Sequence, residues 1–304
     1  MTQKSNQFYH LIAFGTAIIW GTTLVSTKVL LRHDLSPVEI MLYRFVVAYV
    51  VLRILHPKSY AFGGWRDELI FLGTGLCGGT IYFLTENTAL GITLASNVAL
   101  IVTTAPILTA IFAHLMVKNE RLHRNLMIGS ITALAGVALV VFNGQFILRL
   151  NPLGDFLSIV AAASWALYSV LLKKLDHKYH TLYITRKVFF YGIITLLPYL
   201  LIDPIHFDWQ KIIHPEVVWN LLFLGIIASS GCFILWNIAI KHLGSVRTNN
   251  YIYFIPIVTL LTSVWILDER ITLFAVIGTF LILSGVYFVE NGLSIFSKAK
   301  SLDV

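Results

Sequence analysis

Apolar residues fall in runs long enough to cross a bilayer, parted by short polar links, and no stretch shows the sustained period-two alternation of a half-buried strand. Ten runs stand out: Leu11–Leu31, Pro37–Leu55, Leu69–Leu90, Ala95–Val117, Leu126–Phe142, Gly154–Leu172, Ile184–Ile202, Val218–Lys241, Val246–Leu267 and Leu273–Val289. A spanning helix needs about 20 mostly apolar residues, and each run comes close to that. The links carry turn chemistry, as in His33-Asp-Leu-Ser-Pro37, Asn143-Gly144 and Asn151-Pro152. A helix satisfies its own backbone in lipid, whereas strands must close a barrel. The predicted fold class is therefore all-α integral membrane, with ten transmembrane helices.

Composition points the same way. Of 304 residues, 57% are hydrophobic and 12% charged, where a soluble domain carries roughly a quarter charged residues. The lipid bilayer is the expected surrounding. A net charge of +7 raises nucleic acid as a partner, but the basic residues stand singly between apolar runs and form no stripe. No nucleic-acid partner is expected. A basic cluster and a small-x-small cleavage site are both missing near the start, so Leu11–Leu31 reads as a retained span.

The basic residues also orient the chain. With the N-terminus inside, the inner links hold Lys4, Arg53, Lys58, Arg66, Lys118, Arg121, Arg124, Lys173, Lys174, Lys178, Lys241, Arg247, Lys298 and Lys300. The outer links keep only Arg32, Arg149, Lys211 and Arg270. That bias predicts both termini in the cytoplasm.

The chain also repeats itself. Gly75, Gly79, Asn87 and Pro106 return 150 positions later as Gly225, Ser229, Asn237 and Pro256. Glu120-Arg121, Gly129 and Gly136 return 149 later as Glu269-Arg270, Gly278 and Gly285. Trp20 followed by Lys28 is echoed by Trp165 followed by Lys173. Residues 1–149 and 150–304 thus form two copies of one unit, hinged at Leu150–Gly154. Five helices per copy is an odd number, so the second copy enters the membrane from the opposite side. Two inverted five-helix repeats (5+5) are the architecture of secondary transporters, which bind substrate near the midplane between repeats.

Charges at membrane depth cost roughly 2.5–3.5 kcal/mol on insertion scales, so they pair or line a cavity. Lys28, Arg44 and Glu86 are such charges, expected to meet in the outer half. They form either an ion-paired brace or a site, with Arg44 or Lys28 holding a substrate carboxylate and Glu86 contacting an amine or carrying a proton. Glu86 has Trp236 as its counterpart, so the fold does not require an acid in both copies. Trp20 and Trp165 are expected to face each other at the midplane as flat walls for an apolar, aromatic or cationic solute. Tyr82 and Tyr168 lie near them. Asn97, Asn249 and Asn250 are candidate hydrogen-bonding groups for substrate, whereas Asn87 and Asn237 recur in both copies and read as interhelical glue. Pro106 and Pro256 are predicted kinks, and so hinges, in helices four and nine.

Trp20-Gly…Lys28, Tyr43-Arg44-Phe45, Asn87-Thr-Ala-Leu with Ala95-Ser…Pro106, Asn119-Glu-Arg-Leu and Asp268-Glu-Arg-Ile together resemble the drug/metabolite transporter superfamily, in its ten-helix EamA branch. The resemblance covers nearly the whole chain and rests on the order and duplication of motifs that are loose singly. It implies export of small metabolites, often amino acids, across the bacterial inner membrane, with relatives that carry nucleotide sugars or S-adenosylmethionine. It also implies a central cavity lined by helices one, three, four, six, eight and nine.

Other chemistry is thin. Gly73-Thr-Gly-Leu-Cys-Gly78 fits a dinucleotide fingerprint but follows no strand, and reads instead as a small-residue packing face. Cys77 and Cys232 lie inside apolar runs as inert thiols. No Walker, metal or nucleophile motif is present, so no enzyme, cofactor or metal is expected, and the drive is a gradient of substrate or protons. Glu120-Arg121 and Glu269-Arg270 read as loop salt bridges or caps. The rival readings are an uptake carrier or a carrier of nucleotide-linked metabolites, which would gather several cations in one cavity, and a membrane scaffold without transport.

Overall fold

The computed structural model describes residues 3–58, 63–92, 95–117, 124–142, 151–201, 204–205, 208–267 and 272–291. Among these residues the secondary structure is entirely helical. In chain order it comprises α1 (Gln3–Arg32), α2 (Pro37–Leu55), α3 (Trp65–Ile92), α4 (Ala95–Val102), α5 (Ala105–Met116), α6 (Arg124–Phe142) and α7 (Pro152–Leu172). It continues through α8 (Thr181–Leu196, with a 3-10 tail to Leu201), α9 (Trp209–Ile212), α10 (Pro215–Leu243), α11 (Ser245–Asn249), α12 (Ile255–Leu267) and α13 (Leu273–Asn291). Five stretches are long and apolar enough to cross a membrane: Gln7–Arg32, Trp65–Ile92, Pro152–Leu172, Thr181–Leu201 and Pro215–Leu243. α2 is long enough but carries Glu39, Arg44 and Arg53.

Local chemistry explains the helix ends. The α1–α2 turn puts Asp34 in the left-handed region at φ 57°, a conformation Asp tolerates better than most residues. Ser36 then opens α2 with a capping box: its hydroxyl accepts from the Glu39 amide at 3.2 Å, and the Glu39 carboxylate accepts from the Ser36 amide at 2.8 Å. Pro37 follows at the first helical position, where its missing N–H costs nothing.

Helices α3 and α10 each contain a π-helical turn, over Leu76–Ile81 and Phe223–Gly231. These widened turns lie at the small-residue faces and bring neighbouring backbones close. Gly75 lies directly against Tyr191 and Gly192 of α8, and a Cβ on Gly225 would fall 2.6 Å from Val47 of α2. The packing-face reading of Gly75-xxx-Gly79 and its twin is thus the one the contacts support.

The tightest helix pair is α6 against α13. A Cβ on Gly129 would sit 2.6 Å from the Gly285 carbonyl, and one on Gly136 would sit 2.5 Å from that of Gly278. The order of these contacts makes the two helices antiparallel. Gly136→Ala is expected to destabilise the protein by about 1–3 kcal/mol through overpacking, read as a lower melting temperature in detergent. Gly15, around which a Cβ meets nothing within 4 Å, supplies the control: Gly15→Ala should leave the melting temperature unchanged or raise it.

The main core is aromatic, with Phe45, Phe71, Tyr168, Phe189, Phe233 and Trp236 all buried. Outside it, Leu11, Ile54, Leu115, Leu201 and Phe280 are exposed. Apolar surface on this scale is stable only against another apolar phase.

Candidate functional site

A cavity lies between helices from both halves of the chain. It offers about 80 Å³ to the centre of a water-sized sphere, against roughly 10–15 Å³ for a single water by that measure. From the first half, α1 supplies Trp20, Thr23, Leu24 and Thr27 along one helical face, α2 supplies Arg44, and α3 supplies Tyr82, Phe83, Glu86 and Leu90. Val98, Val102, Thr103 and Ala105 complete that side. From the second half come Trp165 of α7, Phe233 of α10, Ile252 and, on α12, Ile255, Pro256 and Thr259.

One end of the cavity is an aromatic floor. Trp20 and Trp165 do not face each other as parallel walls. Their centroids are 5.2 Å apart at 86°, an edge-to-face contact, the arrangement that opposes one ring's positive edge to the other's negative face. Trp236 and Phe233 close in around them, at 4.8 and 5.7 Å from Trp20. The indole N–H groups of the pair are anchored: Trp20 Nε1 donates to the Ala228 carbonyl at 3.0 Å, and Trp165 Nε1 to Asn249 Oδ1 at 3.0 Å. From this floor the lining runs toward the C-terminal ends of α1 and α3, the end of the bundle that holds the α1–α2 turn.

The charged groups sit above the floor. Arg44 Nε donates to Ser229 Oγ at 3.0 Å, and the guanidinium lies 4.3 Å over the Phe83 ring. Arginine carries five N–H donors, so the Ser229 bond uses only one of them. Glu86 Oε1 accepts from the Tyr82 hydroxyl at 2.9 Å. Among the described residues no ion pair joins Arg44 to Glu86, although the two lie within electrostatic reach of each other. An anionic and a cationic group on one apolar lining complement the two ends of a zwitterion.

Helical structure breaks just ahead of both prolines. α4 ends at Val102 and α5 starts at Ala105, with Pro106 in its first turn. The Thr103 and Thr104 hydroxyls donate to the Leu100 and Ile101 carbonyls at 2.7 and 2.6 Å, taking up acceptors at the break. In the second half, a 3-10 turn over Asn250–Phe254 precedes Pro256 at the start of α12.

At the other end of the bundle, side chains pair between helices. Tyr9 stacks on His242 at 3.9 Å, and His10 Nδ1 shares a hydrogen bond with the Tyr251 hydroxyl at 2.6 Å. Asp67 accepts from Lys178 and from the Tyr179 hydroxyl, both at 2.8 Å. Glu68 accepts from Lys187 at 2.9 Å and from the Tyr191 hydroxyl. Arg186 and Lys187 of α8 are therefore engaged at this end, with Arg186 donating to the His56 and Lys58 carbonyls.

Trp20, Arg44, Tyr82, Glu86 and Trp165 share the cavity, while several other candidates lie behind it. Tyr168 is wholly buried and donates to Asn237 Oδ1 at 2.8 Å, and Asn237 in turn donates to Thr185. Trp236 backs the floor, Asn249 anchors Trp165, and Asn250 is wholly buried off the lining. The side chains of Lys28 and Asn97 lie outside the described residues, as do Glu120-Arg121, Glu269-Arg270 and Leu150, the first residue of the Leu150–Gly154 stretch.

Sequence reasoning missed Phe83 and Phe233, yet they are 150 positions apart and line the cavity together. The same holds for Val102 with Ile252 and for Ala105 with Ile255. The repeat offset was thus a usable signal for the apolar lining. It was not one for Ser229, which occupies the place of a glycine in the first half.

A mixed polar and aromatic cavity between helices of the two halves is a feature that secondary transporters share. The profile of the EamA-like transporter family matches residues 7–142 and again 152–290. The chain belongs to that family, within the drug/metabolite transporter superfamily. An uncharacterised transporter of Archaeoglobus fulgidus is 29% identical over 290 residues, covering 93% of this chain and 97% of its own. A probable amino-acid metabolite efflux pump of Escherichia coli is 25% identical, covering 93% of this chain and 95% of its own. One crystal structure superposes with a TM-score of 0.75 at 19% identity, covering 98% of this chain and 99% of its own, and so shares the fold. The family and these names point to transport rather than catalysis.

Proposed function

We propose that the protein is a secondary exporter of small zwitterionic metabolites, aromatic amino acids foremost, working by alternating access across the bacterial inner membrane. The observation that carries this reading is the cavity itself. Arg44 suits a substrate carboxylate, Glu86 suits its ammonium, and the Trp20, Trp165 and Phe233 rings suit an aromatic side chain. The efflux pump of Escherichia coli is described by its name as acting on amino-acid metabolites, which agrees with that chemistry.

The architecture we infer is ten spans in two inverted five-helix repeats, with both termini cytoplasmic. Two features support it beyond the repeat offsets. The family profile matches each half separately. The contact between α6 and α13 also maps onto itself: adding 149 to Gly129 and subtracting 149 from Gly285 turns that pair into Gly278 and Gly136, which also touch. A twofold relation between the halves produces such paired contacts.

In this orientation the cavity opens outward, and the Tyr9–His242, Asp67–Lys178 and Glu68–Lys187 contacts seal the cytoplasmic side. Loading from the cytoplasm then requires those contacts to part while the outer end closes over Arg44 and Glu86. The test is counterflow into proteoliposomes containing unlabelled phenylalanine. Labelled phenylalanine, tyrosine and tryptophan should accumulate transiently above the level of empty liposomes. Accumulation of nucleotide sugars alone, or of no solute tested, would overturn the substrate class.

A further inference from the structure

A second cluster of side chains lies outside the cavity and is used by nothing described above. His33 follows the last residue of α1, and His214 and Glu216 stand at the start of α10. The His33 and His214 rings are 4.8 Å apart. Nε2 of His33 is 3.3 Å from Glu216 Oε2. One nitrogen or oxygen from each of the three residues falls within 4.8 Å of the others.

His33 is held in place. The turn behind it is fixed by the Leu35 amide donating to the Leu30 carbonyl at 3.3 Å, and Leu35 is itself buried. Its Nδ1 lies 3.0 Å from the Val29 carbonyl. A carbonyl can only accept, so Nδ1 carries the proton, and in the neutral ring Nε2 is then a bare lone pair. That lone pair faces a carboxylate oxygen, also an acceptor. Two acceptors at 3.3 Å repel unless a proton or a cation lies between them. The separation suits a metal: two ligand atoms about 2.0–2.1 Å from one tetrahedral zinc lie roughly 3.3 Å apart. Fixing Nδ1 on a backbone carbonyl is also how proteins orient the imidazole of a metal ligand. The second imidazole fits the same explanation, since a second protonated ring 4.8 Å from the first would add repulsion.

We propose that His33, His214 and Glu216 form a site for a divalent transition cation of the zinc class, with water completing the coordination. Two imidazoles and a carboxylate select such a cation over magnesium, which prefers an all-oxygen shell. A bound cation ties the α1–α2 turn to the start of α10. These elements come from the two halves of the sequence, at the end of the bundle toward which the cavity runs. No local motif announces the site, because its ligands are far apart in the chain.

The test uses the full chain, purified without a histidine tag and stripped with a chelator. Zinc chloride is titrated in competition with a chromophoric chelator, with magnesium chloride in parallel. One zinc per chain should bind, and magnesium should not displace it. His33→Gln, His214→Gln and Glu216→Gln should each weaken zinc binding by at least about tenfold. Their melting temperatures in chelator should match the parent, which shows the variants folded. Zinc binding that persists undiminished in the triple variant, or that is absent from the parent, would overturn the site and leave a plain imidazolium–carboxylate pair.

Discussion

Arg44→Ala should lower the affinity for an aromatic amino acid by about 30-fold to 3,000-fold. Truncating one partner of a buried, charge-assisted contact costs about 2–5 kcal/mol, and every 1.4 kcal/mol is about tenfold. The structure also gives Arg44 a scaffolding role, through its bond to Ser229 across the two halves. Ser229→Ala separates the roles, because it removes the brace and spares the guanidinium. Affinity is read by ligand-dependent stabilisation of the purified protein, and folding by its elution as a single species. If the two variants lose affinity equally, Arg44 acts as a brace. A large loss in Arg44→Ala alone places it on the substrate carboxylate. Arg44→Lys should recover only part of the loss, since a point charge does not reproduce the planar fork.

Trp165→Ala should cost about 3–5 kcal/mol of stability, the range for removing a large aromatic from a packed core. Trp165 is only 4% exposed and touches Trp20, Tyr82, Tyr168, Phe233 and Trp236. The melting temperature should fall clearly, with flux lost as a consequence of the damaged floor. Trp165→Phe keeps an aromatic ring but loses the hydrogen bond to Asn249, so the loss should be smaller. Trp20 is less buried and lines the same floor. Trp20→Phe should therefore retain the fold and weaken binding of tryptophan more than of phenylalanine. A melting temperature unaffected by Trp165→Ala would mean that the aromatic floor is not packed as described.

The two tryptophans mark the boundary of what sequence reasoning reaches. Their matching places in the repeat put both near the centre of the molecule. Whether they stand apart as walls or meet edge to face depends on how far α1 and α7 are separated and rotated, and no local pattern encodes that. Arg44 and Glu86 were legible for a different reason. A charge in a long apolar run is costly wherever the helix turns, so its presence signals a cavity or a partner before any packing is known. The direction of Tyr168 and Asn249 was not legible, because a buried polar side chain serves equally as glue or as lining until its partner is seen. Asn237 and Trp165 proved to be those partners.

The chain by itself carries the helices, the doubled pattern of glycines and prolines, and the identity of its intramembrane charges. Each of these is a property of neighbours in sequence or of a constant offset, and the cost of bare backbone and bare charge in lipid forces it. Only the tertiary structure decides that Gly129 meets Gly285, that Ser229 braces Arg44, that the Trp pair closes a floor, and that His33 meets His214. Those pairings join residues about 145 to 185 positions apart, and they follow from the rotation and close packing of whole helices. Many sequences with the same hydropathy pattern would leave that packing open.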